Sequence, residues 1–192
     1  MKITTMAAVA IAVAMNARAG EVTVYVQGLS VAAAPVMSRA QALANEIFAG
    51  VGIKIDWRGG QPSHSRSPIE KPIVVQLIND TPSELKPGAL AFARPYEGVH
   101  IDVFYDRVRA ATEPELTPNV LAHVLVHEIT HILQGTCRHS DSGVMKARWN
   151  HTDYMEMGQK PLSLTEEDVQ LIKNGLAERA NAGTLVAAAG VR

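Results

Sequence analysis

The sequence predicts an α+β domain, because segments with the period of β-strands fill its first half and helical periods dominate its second. Apolar residues alternate at Val22, Val24 and Val26, and again at Ile53 and Ile55, as they do in half-buried strands. The length of 192 residues suits one compact domain with a substantial core. The fold class expected from these three observations is therefore α+β.

Composition excludes several classes of protein. The chain has 18 basic and 19 acidic side chains, so it lacks the excess of positive charge that binding to a nucleic-acid backbone requires. Its one cysteine, Cys137, excludes an intramolecular disulfide framework and an all-cysteine zinc cluster. We expect no nucleic-acid partner.

The first 19 residues have the pattern of a cleavable signal peptide. Lys2 supplies a positive start, an apolar run extends from Met6 to Met15, and Ala17-Arg18-Ala19 forms an A-x-A cleavage site. The apolar run is too short to span a bilayer. We therefore expect residues 1–19 to be removed and the product to be secreted or periplasmic, without stable membrane insertion.

Strand and helix signals in the first half follow one another with clear turn residues between them. A helix is expected between Pro35 and the glycines at 50 and 52, and a polar loop at 61–71. The predicted strands, in chain order, are Glu21–Gln27, Ile53–Trp57, Pro72–Ile78, Ala89–Ala93 and Val99–Tyr105.

The second half predicts two long helices separated by a loop too long to be a simple connector. The first begins at Thr117, as N-cap, with Pro118 in its first turn, and ends at Gly135. The last begins near Thr165. The Ala- and Gly-rich residues 181–192 are expected to form a flexible tail, so the folded domain should span residues 20–180.

A possible metal site lies within the first of these helices. His127 and His131 are four residues apart and therefore lie on one face, where two imidazoles can bind one Zn²⁺. Glu128 is rotated by about 100° from His127, so it is too far round to be a ligand but is suited to act as general base. This is the H-E-x-x-H arrangement of zinc hydrolases.

A third protein ligand is needed, and zinc chemistry allows either Cys137 or His139. His123 shares a face with His127 but lies about 12 Å of helix rise from His131, so all three cannot bind one ion. We expect His123 to support the site or to be a hydrogen-bonded core residue.

This region resembles the signature of the metzincin zinc proteases, H-E-x-x-H-x-x-G-x-x-H followed by a Met-turn. It is most similar to the matrixin-like members. There the third histidine is followed by serine, as in His139-Ser140, and a short apolar pair precedes the Met-turn methionine. The stretch that carries the resemblance is His127-Glu-Ile-Thr-His131-Ile-Leu-Gln-Gly135-Thr-Cys-Arg-His139-Ser-Asp-Ser-Gly143-Val-Met145, supported by Leu162-Ser-Leu-Thr-Glu166-Glu-Asp168-Val169 at the start of the last helix.

The spacing departs from the family pattern. The family's glycine and third histidine stand three and six residues after the second histidine, whereas Gly135 and His139 stand four and eight residues after His131. Cys137 occupies the usual sixth position. We favour His139 because the residues around it reproduce the local pattern.

The resemblance implies a metzincin-like fold with a mixed, twisted sheet, an antiparallel edge strand, an active-site helix and a C-terminal helix. It implies that Met145 is the Met-turn residue and that His151 and Tyr154 are candidate pocket residues. It also implies that the strand Ala89–Ala93 is the edge strand that binds an extended peptide.

The predicted function is that of a zinc metalloendopeptidase acting on peptide or protein substrates. Its metal ligands would be His127, His131 and His139, its cofactor Zn²⁺, and its catalytic base Glu128. Two other functions remain possible from the residues: an exported zinc-binding protein without proteolytic activity, whose site would be closed by Cys137 together with His139, or a zinc hydrolase of a small amide or a cell-wall peptide. Substrate preference and oligomeric state are not predicted.

Overall fold

The computed structural model describes residues 20–62 and 71–189, with side chains as far as residue 182. The predicted signal peptide at 1–19 and most of the predicted loop at 61–71 lie outside the described residues.

The described chain is a mixed α+β structure with a five-stranded sheet in the order β2-β1-β3-β5-β4. Strands β1, β2, β3 and β5 are parallel, and only β4 at one edge is antiparallel. The prediction of a mixed sheet with an antiparallel edge strand is therefore confirmed. The strands are β1 (Gly20–Gln27), β2 (Ile53–Gly59), β3 (Ile73–Ile78), β4 (Ala91–Ala93) and β5 (His100–Phe104).

The helices cover the sheet and supply most of the core. They are α1 (Ala34–Ala49), α2 (Tyr105–Ala110), α3 (Thr117–Gln134), α4 (His151–Met157) and α5 (Glu166–Ala189), and a single 3-10 turn over Val31–Ala33 leads into α1. Helix α3 packs against both α1 and α5. Its central position explains why nearly all of its side chains are buried, the polar ones included.

The ends of α3 match the sequence prediction with one correction. Gly135 ends the helix in the left-handed conformation, with φ of 67°, which glycine adopts without strain. Thr117 is not the N-cap: it is the first helical residue, and its hydroxyl donates to the carbonyl of Glu113 at 3.4 Å. The N-cap is Leu116, which forms no side-chain capping bond.

Three further features differ from the expected elements. Helices α2 and α4 were not predicted, because each is short and too brief to show a helical period. Helix α4 begins with a capping box, in which the side chains of Asn150 and Asp153 bond each other's backbone N–H. Helix α5 continues to Ala189 and so includes part of the segment 181–192 that is expected to form a flexible tail, in keeping with the high helix propensity of alanine.

The loop that precedes β4 is held by one guanidinium group. Arg107 on α2 donates hydrogen bonds to the backbone carbonyls of Pro82, Leu85, Lys86 and Ala89, at 2.7–3.1 Å. A planar guanidinium with five N–H donors suits this task. The four bonds fix the path by which the chain enters the edge strand.

Across the described residues, no helix combines the length and the apolar character needed to cross a membrane.

Helix α5 approaches α3 closely at a single glycine. A Cβ atom at Gly175 would lie 1.8 Å from the carbonyl oxygen of Leu133, near the end of α3. Backbone atoms of both helices would have to separate to admit a methyl group. Gly175 is therefore required by packing rather than by backbone conformation.

We predict that Gly175→Ala lowers the free energy of unfolding by about 2 kcal/mol or more, as overpacking typically does. Helix propensity alone predicts the opposite, a gain of roughly 1 kcal/mol. Urea unfolding of the variant measures the balance. Gly59→Ala is the control, since a Cβ there meets nothing within 4 Å, and a gain in stability at Gly175 would contradict the packing described.

Candidate metal centre

Two histidines of α3 are oriented by backbone carbonyls. Nδ1 of His127 lies 2.9 Å from the carbonyl oxygen of Val144, and Nδ1 of His131 lies 2.9 Å from that of Thr136. A carbonyl oxygen can only accept, so each Nδ1 carries the proton and donates it. Each neutral ring then presents an unprotonated Nε2.

The two Nε2 atoms lie 3.0 Å apart. Both are acceptors, so their lone pairs face each other without a hydrogen between them. Such an arrangement is unfavourable by itself and becomes favourable when a cation lies between the two atoms. Two nitrogens bound to one zinc at about 2.0–2.1 Å would be roughly 3.3 Å apart at a tetrahedral angle, close to the spacing observed.

The electrostatic environment keeps both rings neutral. Burial lowers the pKa of His127 to about 4, against a smaller opposing effect of its hydrogen bond to Val144. Burial, aided by the repulsion that a protonated His127 would exert, lowers the pKa of His131 to about 4. Neutral imidazole is the form that binds a metal.

His139 completes a group of three. Its ring centroid lies 5.3 Å from that of His127 and 4.9 Å from that of His131. One ligand nitrogen from each of the three residues falls within 4.8 Å of the others. The structure therefore forms a three-histidine group that fits a metal ion, on a helix compatible with a zincin.

The alternative ligand, Cys137, does not belong to this group among the described residues. It is exposed and lies on the wall of the same cleft. The arrangement therefore favours His139 over Cys137 as the third ligand.

Glu128 lies beside the histidines and is 8% exposed. Burial raises the pKa of its carboxyl to about 7, and the backbone amide of Ala93 in β4 partly opposes that rise. A carboxyl with a pKa near neutrality is able both to accept and to release a proton at physiological pH.

A cleft of about 730 Å³ opens over the three histidines. Strand β4 and the loop before it form one side, and residues 146–149 with Tyr154 form the other. The ring centroid of Trp149 lies 5.7 Å from that of His127. The indole N–H of Trp149 is buried without a hydrogen-bond partner among the described residues. A buried donor left without a partner indicates an acceptor supplied by a ligand or water.

The remaining candidate residues lie in different places. His123 is fully buried, and both of its ring nitrogens are used, one with the Asn119 carbonyl at 2.7 Å and one accepting from the Leu162 N–H at 2.9 Å. It is thus a hydrogen-bonded core residue. Met145 is buried, Tyr154 lines the cleft, and His151 is exposed at the start of α4.

Sequence reasoning missed the residue that anchors the segment carrying His139. Asp168 of α5 has no exposed surface, and its carboxylate accepts hydrogen bonds from Arg138 at 3.0 Å and Ser140 at 2.7 Å. The same carboxylate and Thr165 cap α5 reciprocally. The spacing Thr165-x-x-Asp168 could have drawn attention to Asp168 in the sequence. That spacing indicates the start of a helix, however, and not a contact with the segment that carries His139.

Comparison with known proteins identifies no relative that could assign a role to the three-histidine group. No protein-family model matches the chain, and no curated protein matches it. The resemblance to metzincins accordingly rests on the motif residues.

We predict that Asp168→Asn lowers the free energy of unfolding at neutral pH by about 2 kcal/mol, the scale of hydrogen bonds to a charged group. Burial raises the pKa of Asp168, but hydrogen bonds from Thr165 and Ser140 and the charge of Arg138 outweigh burial and hold it below the ordinary value. A lowered pKa stabilises the fold above the ordinary aspartate pKa, and that contribution is lost as the pH falls through the lowered pKa.

The difference between wild type and Asp168→Asn should therefore shrink on acidification. Urea unfolding of both proteins between neutral pH and about pH 3 measures it. Asp141→Asn, at an exposed neighbouring aspartate, is the control and should change little. A difference that stays constant across this range would show that the Asp168 charge does not stabilise the fold.

We predict that the wild-type chain binds about one metal ion and that His139→Ala weakens binding tenfold or more, because a ligand is lost. Cys137→Ala should bind as the wild type does. Elemental analysis after dialysis against a competing chelator measures both. Full metal content in His139→Ala with loss in Cys137→Ala would move the third ligand to the cysteine.

Proposed function

We propose that this protein is a zinc-dependent metallopeptidase of metzincin type. The observation that carries the proposal is the pair of unprotonated Nε2 atoms of His127 and His131, which face each other at 3.0 Å beside a third histidine and a buried carboxyl. A hydrogen-bonded core would not retain two opposed acceptors, as the fully satisfied His123 illustrates.

Zinc is the ion proposed, with His127, His131 and His139 as its ligands. Three imidazoles suit zinc well, and a site with three protein ligands leaves one position for water or substrate. When bound there, zinc would polarise a scissile carbonyl and promote deprotonation of a water molecule. The carbonyls of Val144 and Thr136 would keep the imidazoles in the required tautomer.

Glu128 is proposed as the general base. Its buried carboxylate would accept the proton of the attacking water and then deliver it to the amine that leaves. Burial raises the pKa of this carboxyl, and a cation held by the neighbouring histidines would lower it again, which favours the carboxylate form that accepts a proton. The amide of Ala93 helps to hold Glu128 against the edge strand.

The outer side of β4 is proposed to bind an extended peptide. Hydrogen bonds from the Arg94 N–H to the His100 carbonyl and from the Phe104 N–H to the Leu90 carbonyl join the edge to β5. By the alternation of an antiparallel pair, the N–H and C=O groups of Ala91 and Ala93 then face away from β5. The Ala93 N–H bonds Glu128, and the Ala91 N–H and the two carbonyls are proposed to pair with a substrate. A substrate strand added there would lie across the three histidines.

The alternative functions fit the structure less well. A closed structural site was expected to use Cys137 together with His139, but Cys137 stands outside the three-histidine group. A hydrolase of a small amide would need an enclosed pocket, whereas the cleft follows the edge strand. We further propose, from the pattern of residues 1–19, that the peptidase acts in the periplasm or outside the cell.

We predict that Glu128→Gln retains the metal but lowers kcat for peptide cleavage by about 10²–10⁴, the usual loss on removing a general base. Cleavage of an unstructured protein such as casein, with metal content measured in parallel, tests this. Glu46→Gln, at an exposed glutamate on α1, is the matched control and should cleave as the wild type does. Turnover undiminished in Glu128→Gln would remove the general-base role, and a wild-type protein that holds zinc without cleaving any peptide would contradict the proposed function.

A further inference from the structure

A second cavity, of about 340 Å³, lies at the carboxyl ends of the parallel strands. It is lined by Ser30, which follows β1, by Asn79, which follows β3, and by Tyr105, which follows β5. Strands β1 and β3 are neighbours in the sheet, but the connection after β1 leads to β2 on one side of this pair and the connection after β3 leads to the opposite side, where β5 and β4 lie. In sheets with parallel strands, the crevice between two such strands, at their carboxyl ends, is the usual position of a ligand.

The first turns of two long helices contribute to the wall of this cavity. Ala32, Ala33 and Val36 belong to the start of α1 and its preceding 3-10 turn, and Thr117 begins α3. Neither helix has an acidic residue in its first turn. The partial positive charge of both N-termini is therefore left without a carboxylate within its own helix.

The side chain of Tyr105 supplies an independent indication. Tyr105 is 5% exposed as a residue, lines the cavity, and forms no side-chain hydrogen bond with the described residues, so its hydroxyl keeps some accessible surface. Burial raises the pKa of its phenol, opposed by the nearby charge of Arg109, so the phenol remains a donor at neutral pH. An unpaired hydroxyl on a largely buried side chain beside a cavity is suited to donate to an acceptor bound in that cavity.

Arg109 adds a full positive charge. Arg109 is exposed and also lines the cavity, and its guanidinium forms no hydrogen bond or ion pair with a residue in the described ranges. None of the lining residues is acidic. The neighbouring carboxylate of Asp106 is engaged by the backbone N–H and hydroxyl of Thr81, at 3.0 and 2.6 Å.

We propose that this cavity binds a small oxyanion, namely the phosphate or carboxylate group of a small molecule. Arg109 and the Tyr105 hydroxyl would donate to its oxygens, and the two helix N-termini would favour its charge. The Asn79 amide, which donates to the Gly28 carbonyl at 3.2 Å, holds the loops after β1 and β3 together at this point.

This site is separate from the metal centre. The two cavities share no lining residue, and Thr117 is about 16 Å along α3 from Glu128, at 1.5 Å per residue. Anion binding is therefore expected to be independent of metal binding and of peptide cleavage.

Calorimetric titration of the full, metal-loaded chain with inorganic phosphate and with acetate, at constant ionic strength set by chloride, tests the proposal. The wild type should bind at least one of the two, and the tighter one identifies the preferred head group. Arg109→Gln should weaken that binding about tenfold or more, and Tyr105→Phe should weaken it about threefold or more. Arg39→Gln, at an exposed arginine on α1 outside the cavity, is the matched control and should bind as the wild type does.

Three results would overturn the proposal: no binding of either anion by the wild type, undiminished binding by Arg109→Gln and Tyr105→Phe, or equal weakening by Arg39→Gln. An anion held at the metal would give the second result. Glu128→Gln should bind the anion normally, so loss of peptidase activity in that variant and loss of anion binding in Arg109→Gln report on different sites.

Discussion

Helix α3 must accommodate imidazoles and a carboxyl inside an apolar core, and its surroundings are arranged to meet that requirement. A buried polar group without a partner costs about 1–3 kcal/mol, so each ring nitrogen needs a partner. The carbonyls of Val144, Thr136 and Asn119 accept from three Nδ1 atoms, and the Leu162 N–H donates to the remaining nitrogen of His123. Of the ring nitrogens on α3, the Nε2 atoms of His127 and His131 are the two that find no donor within the described part of the chain, and both residues line the cleft.

The segment that follows α3 helps to position the histidines, although it has little regular secondary structure. Residues 136–145 return beneath the histidines, and the Met145 carbonyl accepts from the Ser140 N–H at 2.8 Å. Asp168 on α5 then holds the same segment through Arg138 and Ser140. Because α5 also packs on the end of α3 at Gly175, one helix fixes both the motif helix and the segment that brings His139 to it.

Sequence reasoning predicted what depends on local pattern. Alternation at Val22–Val26 indicated β1, Gly135 indicated the end of α3, and the spacing of His127 and His131 placed two imidazoles on one face. It did not predict what depends on tertiary contacts: the short helices α2 and α4, the carbonyl partners of the histidines, and the role of Asp168. The choice between Cys137 and His139 was of the same kind, since chain separation alone does not determine which side chain turns towards the first two ligands.

The four hydrogen bonds of the Arg107 guanidinium have a consequence for how the sequence of the loop before β4 can change. The loop before β4 is held through the carbonyl oxygens of Pro82, Leu85, Lys86 and Ala89, and every amino acid carries such an oxygen. The shape of the loop therefore depends little on the side chains at positions 83–85, although Gly88, with φ of 79°, is in a conformation that favours glycine. Substitutions at positions 83–85 can alter the surface of the loop while the path of the backbone is preserved, so selection can change that surface without rebuilding the fold.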